Sequence, residues 1–463
     1  MLTYNFLPFN FKLLGNKYLL VNEMGEFCFL SKFKFTEFID KKKNGEKLKG
    51  RFCYQKKSEV LEYINNYQKN KHFLNSNTSL FILVLTNRCI LNCIYCQASK
   101  KNCPNKKYDM SLATAKRAVD LIMQSPSKEI TIEFQGGEPL LNFDVLKFVV
   151  CYSKKLKSRF KSRIEFNVVS NLVPLDEKKL EFLISNDVRI CTSLDGNQEL
   201  HNYNRPYPFG NSYKLLVKKI ALLKKFKKKK GQLLNAIQTT TRKSLFLYKQ
   251  IVDEYISLGF DSVFLRCLNP FGLAERKLGI IGYSPYEFLK FYRNALKHVI
   301  KLNFEGKLFI EATAQIYLQK ILNNEKMHFM DLRSPCGAVI GQMAVNYDGS
   351  IYTCDEGRML AETGDNNFYL GNVYQSNYSD LVKNDTTKMV CFASCTECFP
   401  RCYQCVYRPY CGVCPVINYS QERSIFKNNG FRCVIQTGIL DTLFQYLKNN
   451  KKARQVFYKW VDK

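Results

Sequence analysis

FILVLTNRCILNCIYC, residues 81–96, holds the reading that decides the fold. Its first six residues are an unbroken apolar run, as expected of a strand buried on both faces of a parallel sheet. Three thiols at the spacing C-x3-C-x2-C follow directly, Cys89, Cys93 and Cys96. They therefore fall in the loop at the carboxyl end of that strand, which in α/β barrels is the catalytic end. A tight triad on one loop can bind three irons of a cubane and leave the fourth without a protein ligand. The same thiols also suit three ligands of a zinc site whose fourth comes from elsewhere.

Working outward, FILVLT, ITIEF, IEFNVV, VRICTSL, LLNAIQT and SVFLRCL are short β-rich runs, each followed by an amphipathic stretch such as SLATAKRAVDLIMQ or LYKQIVDEYISLG. Ser111 reads as the N-cap of the first helix and Gly259 as a C-terminal stop. Repeated βα units imply a parallel sheet with right-handed crossovers. They are fewer than a closed eightfold barrel needs, so the expected fold class is α/β, a partial (β/α)6 barrel with an open side over residues 77–325. The strand ends carry Gly136, Gly137 and Glu138 in QGGEP, then Ser170-Asn171, then Asp195 in SLDG, then Arg205 in HNYNRP, then the TTT after the fifth strand. Polar groups gathered at one end of successive strands mark one active site.

Residues 1–76 read as a small α+β domain. Strand-like runs flank Asn22-Glu23-Met24-Gly25, and the helical patterns KFTEFIDKKK and SEVLEYINNYQ follow. This unit is a cap on the next domain or a peptide-docking surface. Residues 326–435 hold short strands, GQMAVNY and SIYTCDE, and then the densest cysteines; residues 436–463 are a helical tail.

Bulk composition narrows the class. With 463 residues, 46% hydrophobic and 24% charged, the chain has apolar mass for full cores. The first residues lack a secretory pattern and no apolar run is long enough to cross a bilayer, so a cytoplasmic protein is expected. There, 19 cysteines read as metal ligands and not as disulfides, and with only four histidines the ligand set points to iron–sulfur clusters or zinc. The net charge of +30 is scattered along helices such as KKLKSRFKSR. It reads as a Lys-rich solvated surface suited to an acidic peptide, without the aromatic-basic modules of nucleic-acid recognition.

The triad, its strand and the GGE after the next strand resemble the radical SAM superfamily. That resemblance implies a four-iron, four-sulfur cluster on Cys89, Cys93 and Cys96. Its open iron would be chelated by S-adenosylmethionine, which is cleaved to a 5′-deoxyadenosyl radical after reduction by a donor such as flavodoxin or ferredoxin. It further implies Tyr95 near the adenine and Gly136, Gly137 and Glu138 at the methionine amino group. Ser170 would lie at the ribose or carboxylate region, and Arg205 on the carboxylate.

The C-terminal series is Cys336-x12-Gly349-x4-Cys354, Cys402-x2-Cys405-x5-Cys411-x2-Cys414, and Cys433. The short separation of the two CxxC pairs disfavours a zinc ribbon. The order resembles the SPASM extension of radical SAM peptide maturases, departing from it in an x2 last pair where the family has x3. By position, Cys402, Cys405, Cys411 and Cys433 would ligate one auxiliary 4Fe-4S cluster, and Cys336, Cys354 and Cys414 another, one ligand short. CFASCTEC, 391–398, repeats the triad spacing with no strand before it and no GGE. One of Cys391, Cys395 or Cys398, with Cys395 as the choice, is expected to close the short set, the alternative being an extra cluster. Asp355 matches an aspartate that accepts a proton in sulfatase-maturing relatives. EFQGGEPLLNF, TSLDGNQELHNYNRP, DEYISLGFDSVFLR, DEGRMLAETGDNNFYLGNV and PYCGVCP resemble the His-Xaa-Ser system radical SAM maturase, B component. The implied function is oxidative modification, as a crosslink, of a ribosomally made precursor peptide, with the N-terminal unit resembling a leader-recognition fold. The alternatives are a formylglycine-generating anaerobic sulfatase maturase and, from another class, a zinc-rich nucleic-acid-binding protein. Cys28, Cys53, Cys103, Cys151, Cys191 and Cys267 read as isolated thiols.

Overall fold

The structure, a computed structural model, describes residues 4–41, 45–75, 77–101, 104, 106–160, 162–226, 234–323 and 329–462. Cys103 lies outside them.

Six parallel strands are β6 (Leu80–Thr86), β7 (Glu129–Gly136), β8 (Arg163–Val169), β9 (Val188–Ser193), β10 (Leu234–Thr239) and β11 (Ser262–Arg266), paired in chain order. Each expected run is therefore a strand. Helices cross between them, and polar caps fix where they start: Ser111 Oγ accepts from Thr114 N at 3.0 Å to begin Leu112–Ile122, and Asp176 and Asn197 do the same for later helices. Helix Tyr248–Ser257 ends before Gly259 at φ +72°.

The sheet extends past both edges of these six strands, which was not expected, although strands in GQMAVNY and SIYTCDE were. A short strand β12 (Ile310–Glu311) continues the sheet beyond β11, also parallel. At the other edge, β13 (Gln342–Val345) pairs parallel with β6, and β14 (Ser350–Tyr352) and β15 (Tyr369–Asn372) follow antiparallel. One ten-stranded sheet, β12-β11-β10-β9-β8-β7-β6-β13-β14-β15, thus runs unbroken across the expected boundary at residue 325.

The N-terminal residues form the meander β2 (Phe9–Leu14), β3 (Lys17–Asn22) and β4 (Phe27–Ser31), a separate pair β1 (Asn5–Phe6) and β5 (Cys53–Tyr54), and helices Lys32–Lys41 and Lys57–Asn70. The turn Asn22–Gly25 sits where the sequence placed it, while β2 was missed. This unit docks on the C-terminal residues. Lys12 pairs with Asp441 at 2.7 Å, Tyr410 donates to the Gly25 carbonyl, Arg408 pairs with Glu23, and Phe27 meets Phe444 edge-on. The helical tail begins earlier than expected, as helix Gly430–Asn449 capped by Asn429, and is broken at Asn450 before Lys451–Val461. Among the described residues no helix is long and apolar enough to cross a membrane.

Candidate active site

The loop after β6 carries the triad, and its backbone is tied on three sides. Asn92 N and Ile94 N donate to the Pro206 and Asn204 carbonyls, and Leu273 N donates to the Cys96 carbonyl. The fourth side is the GGE run. Gly137 N donates to Thr86 O and Glu138 N to Arg88 O, both at 2.8 Å. Only glycine permits this seam: Gly136 sits at φ +138°, a Cβ there would lie 2.1 Å from Thr86 O, and one on Gly137 would lie 2.4 Å from Arg88 O.

Two donors reach the sulfurs. Asn171 Nδ2 lies 3.5 Å from Cys89 Sγ and Arg205 Nη1 3.8 Å from Cys93 Sγ. Hydrogen bonds to thiolate sulfur are what a cluster-holding loop uses to tune its metal, so the residues fit an iron–sulfur cluster. Without metal, burial pushes the Cys93 thiol up to about 11 and Cys89 higher, so ligation must displace their protons. Among the described residues no three His, Cys, Asp or Glu side chains converge as ligands of a single ion would. A cubane spreads its thiolates over separate corners and does not require that.

Tyr95, Asp195 and Arg205 form one buried group beside the triad. The Tyr95 hydroxyl donates to Asp195 Oδ2, Arg205 Nε pairs with the same oxygen at 3.2 Å, and the guanidinium lies over the Tyr95 ring. Asp195 Oδ1 accepts from Thr239 N, and Asp195 N donates to His201 Nδ1 at 3.3 Å. His201 is buried, which pulls its imidazole down to about 4.

Glu138 does not line the cavity in front of the triad, although its carboxylate lies within electrostatic range of Cys89. Oε1 accepts from Leu140 N and from Ser170 Oγ at 2.8 Å, and Oε2 from Asn171 N at 2.8 Å. The carboxyl is fully buried, and burial raises it to about 7 against those three donors. It binds the end of β8 to the end of β7, and Ser170 Oγ is occupied in the same bond. Gly136, Gly137, Ser170, Tyr95 and Arg205 line the cavity in front of the triad, while Glu138 stands behind it.

That cavity, about 1530 Å³, runs from the triad through the open barrel to the C-terminal cysteines and the N-terminal helix Lys57–Asn70. Polar residues absent from the sequence expectations face it from inside the barrel. Glu133 accepts from Gln135 Nε2 at 2.6 Å and from Asn167 at 3.5 Å, and Arg266 and Cys191 stand nearby. Burial raises Glu133, and the Asp355 carboxylate adds to the shift. Alternation is the signal that finds them: Ile130, Ile132 and Phe134 are buried under the helices, so Thr131, Glu133 and Gln135 point inward. Asp355 lines the same cavity, with Oδ1 held by the fully buried Arg358 at 2.6 Å.

The C-terminal thiols gather in groups. Cys402, Cys405, Cys411 and Cys433 lie within electrostatic range of one another, and burial pushes Cys411 up to about 12. Cys336, Cys354 and Cys414 share a second buried cluster. Cys395 joins neither group. Its charged neighbours are Glu397, Cys398, Lys71 and Cys391, and its thiol donates to the Cys391 carbonyl at 3.3 Å. Of the isolated thiols, Cys28 and Cys53 pack in the N-terminal core, Cys151 is exposed, and Cys191 and Cys267 line the cavity.

Residues 83–242 match the radical SAM superfamily. The chain carries a radical SAM domain. An uncharacterized protein of Methanocaldococcus jannaschii is 35% identical over 190 residues, 41% of this chain and 62% of that protein, so the match spans less than two thirds of that relative. A cysteine-type anaerobic sulfatase-maturating enzyme of Clostridium perfringens is 27% identical over 284 residues, 60% of this chain and 74% of that one. Among solved structures, AdoMet-bound anSMEcpe superposes with a TM-score of 0.66 at 19% identity, covering 82% of this chain and all of that one. Streptococcus suis SuiB bound to S-adenosylmethionine superposes at 0.57 and 15% identity, covering 92% and 98%. These likenesses establish a fold shared with SPASM-type maturases. A radical SAM domain binds S-adenosylmethionine and a 4Fe-4S cluster, and the cysteine-rich C-terminal residues fit auxiliary clusters.

Proposed function

We propose that this radical SAM enzyme oxidatively modifies a ribosomally made precursor peptide, forming an intramolecular crosslink. The observation that carries the reading is the continuous cavity, which links the triad, both C-terminal cysteine groups and the N-terminal unit, and leaves room for an extended peptide segment. SuiB has been solved with its precursor peptide SuiA, which supports a peptide substrate for the shared fold.

Cys89, Cys93 and Cys96 would hold the radical SAM cluster. The Gly136–Gly137 backbone would meet the methionine amine, with Glu138 holding that edge in place from behind. Arg205 and Ser170 would face the carboxylate and ribose, and Tyr95 the adenine. The two C-terminal cysteine groups would hold auxiliary clusters. When bound, these groups supply hydrogen-atom abstraction from an unactivated C–H bond and a sink for the electron left behind. The chain's own part is to position and shield. The Tyr95–Asp195–Arg205 group fixes one wall, and the lumenal Glu133, Asn167 and Arg266 orient a polar substrate side chain. Asp355 Oδ2, free of the Arg358 bond, takes the substrate proton. The N-terminal unit would steer a leader toward the open side.

The test is anaerobic co-expression with small peptides encoded beside the gene, followed by mass analysis. A crosslink appears as net dehydrogenation with no aldehyde. Formylglycine on a sulfatase-derived peptide would favour the second reading, which the Clostridium relatives support. Replacing Cys89, Cys93 and Cys96 together by Ala must abolish reductive cleavage of S-adenosylmethionine; persistence would refute the enzyme's use of the triad.

A further inference from the structure

The cysteine group Cys336, Cys354 and Cys414 is one ligand short of a cubane, and the structure offers a side chain for the vacant corner that is not a thiol. Glu356 follows Cys354 by two residues in the first turn of helix Asp355–Ala361. Its carboxylate is half-buried in the wall of the cavity that Cys336, Cys354 and Cys414 also line. It stands within electrostatic range of all three sulfurs. Its neighbour Asp355 is bound to Arg358, whereas among the described residues no other side chain is hydrogen-bonded or ion-paired to Glu356, whose carboxyl is engaged by its own backbone N–H. A carboxylate withdrawn from bulk water with no partner from another residue is costly unless something binds it.

The thiol that the sequence suggested is turned elsewhere. Ser394, and not Cys395, touches this group, through an Oγ that accepts from Cys336 N at 3.0 Å. Cys395 points into its own loop toward Cys391 and does not line the cavity. The surrounding cations match a more anionic site. Arg432, ion-paired with Asp331 at 2.8 Å, lies in range of Cys414 and Glu356, and Arg333 in range of Cys336, with its Nε and one terminal nitrogen buried without a hydrogen-bond partner.

We propose that Glu356 is the fourth ligand of this auxiliary cluster, giving it a Cys3Glu ligand set. The inference rests on the reading that the C-terminal cysteines hold clusters. A carboxylate oxygen is a harder and more exchangeable ligand than a thiolate, so this cluster differs in its electronic properties from the all-cysteine one formed by Cys402, Cys405, Cys411 and Cys433.

The test uses the full chain with Cys89, Cys93 and Cys96 all changed to Ala, so that only auxiliary iron remains. After anaerobic reconstitution this parent should carry about eight irons per chain, two cubanes of four. On that background Glu356→Cys should keep the iron and shift the g values of one reduced-state EPR signal. Glu356→Ala and the near-isosteric Glu356→Gln should each bind added cyanide with a new EPR signal that the parent lacks, while Cys395→Ala leaves iron and spectrum unchanged. The signal of the all-cysteine cluster serves as the internal reference. Spectra of the Glu356 variants identical to the parent's, or a change in Cys395→Ala alone, would overturn the ligand assignment. A parent devoid of iron and sulfide would instead overturn the cluster reading beneath it.

Discussion

Gly136→Ala puts the seam between the GGE run and the triad loop to a quantitative test. A Cβ at this position begins 2.1 Å from Thr86 O, where ordinary contact starts at 3.4 Å, so the two backbones must part by about 1.3 Å. Both seam hydrogen bonds, 2.8 Å in length, then fail, at about 1 kcal/mol each. The φ of +138° adds about 1–3 kcal/mol of backbone strain. The expected loss is thus about 3–5 kcal/mol. Gly210→Ala is the control, since Gly210 has a similar φ of +146° but its nearest neighbour, a Tyr207 ring carbon, is 4.0 Å away. It should suffer only the strain of about 1–3 kcal/mol. Thermal unfolding of the two variants side by side reads the difference. Iron analysis and the response of the reduced cluster's EPR signal to S-adenosylmethionine read its consequence, with Gly136→Ala losing the response and Gly210→Ala retaining it. Equal destabilisation and equal EPR behaviour of the two variants would refute the reasoning, because close approach would then not be what the glycine is for.

His201 is buried with its imidazole pulled down to about 4 from 6.5, so between those values the unfolded chain takes up the proton first. Its contribution, about 3 kcal/mol, is therefore complete above pH 6.5 and is lost as pH falls toward 4. The melting-temperature gap between wild type and His201→Gln, followed downward from pH 7, should change in that direction. Asp195→Ala strands Arg205 and the Tyr95 hydroxyl in a buried site and should cost about 3–5 kcal/mol, with a raised KM for S-adenosylmethionine. Asn171→Ala removes the donor to Cys89 Sγ and should lower the reduction potential of the triad cluster alone, read by redox titration against unchanged auxiliary signals.

Much of this architecture is legible in the chain because parallel strands buried on both faces are written as apolar runs. β6 through β11 are visible for that reason. The two-residue β12 is too short to show a period, and β2, FNFKLL, alternates only weakly before a turn. The strand ends are legible as a list of polar residues, but the list does not say which way each one turns. Glu138 illustrates the gap: a carboxylate after two glycines reads as a group offered to a ligand, yet three donors from its own chain hold it behind the cavity. Arg205 likewise has an internal partner, Asp195, ten residues earlier. Cys395 shows a further limit. Spacing counts thiols but carries no direction, and the Cys395 thiol donates to the Cys391 carbonyl within its own loop. The lumenal Glu133 and Asn167 could have been found from period-two alternation, had the inward face of each strand been separated from the outward one.

The unbroken ladder from β6 to β13 has a mechanical consequence. Because Gln342–Val345 pairs residue by residue with Leu80–Leu83, the C-terminal residues protect what would otherwise be the bare edge of an almost wholly apolar strand. A chain shortened at residue 325 would not yield a freestanding barrel. It would expose a sticky strand edge to other copies of itself and should aggregate on expression. The loop carrying Cys89, Cys93 and Cys96 and the segment carrying Cys336 and Cys354 are therefore joined through one sheet, and their separation is set by that sheet and not by a hinge.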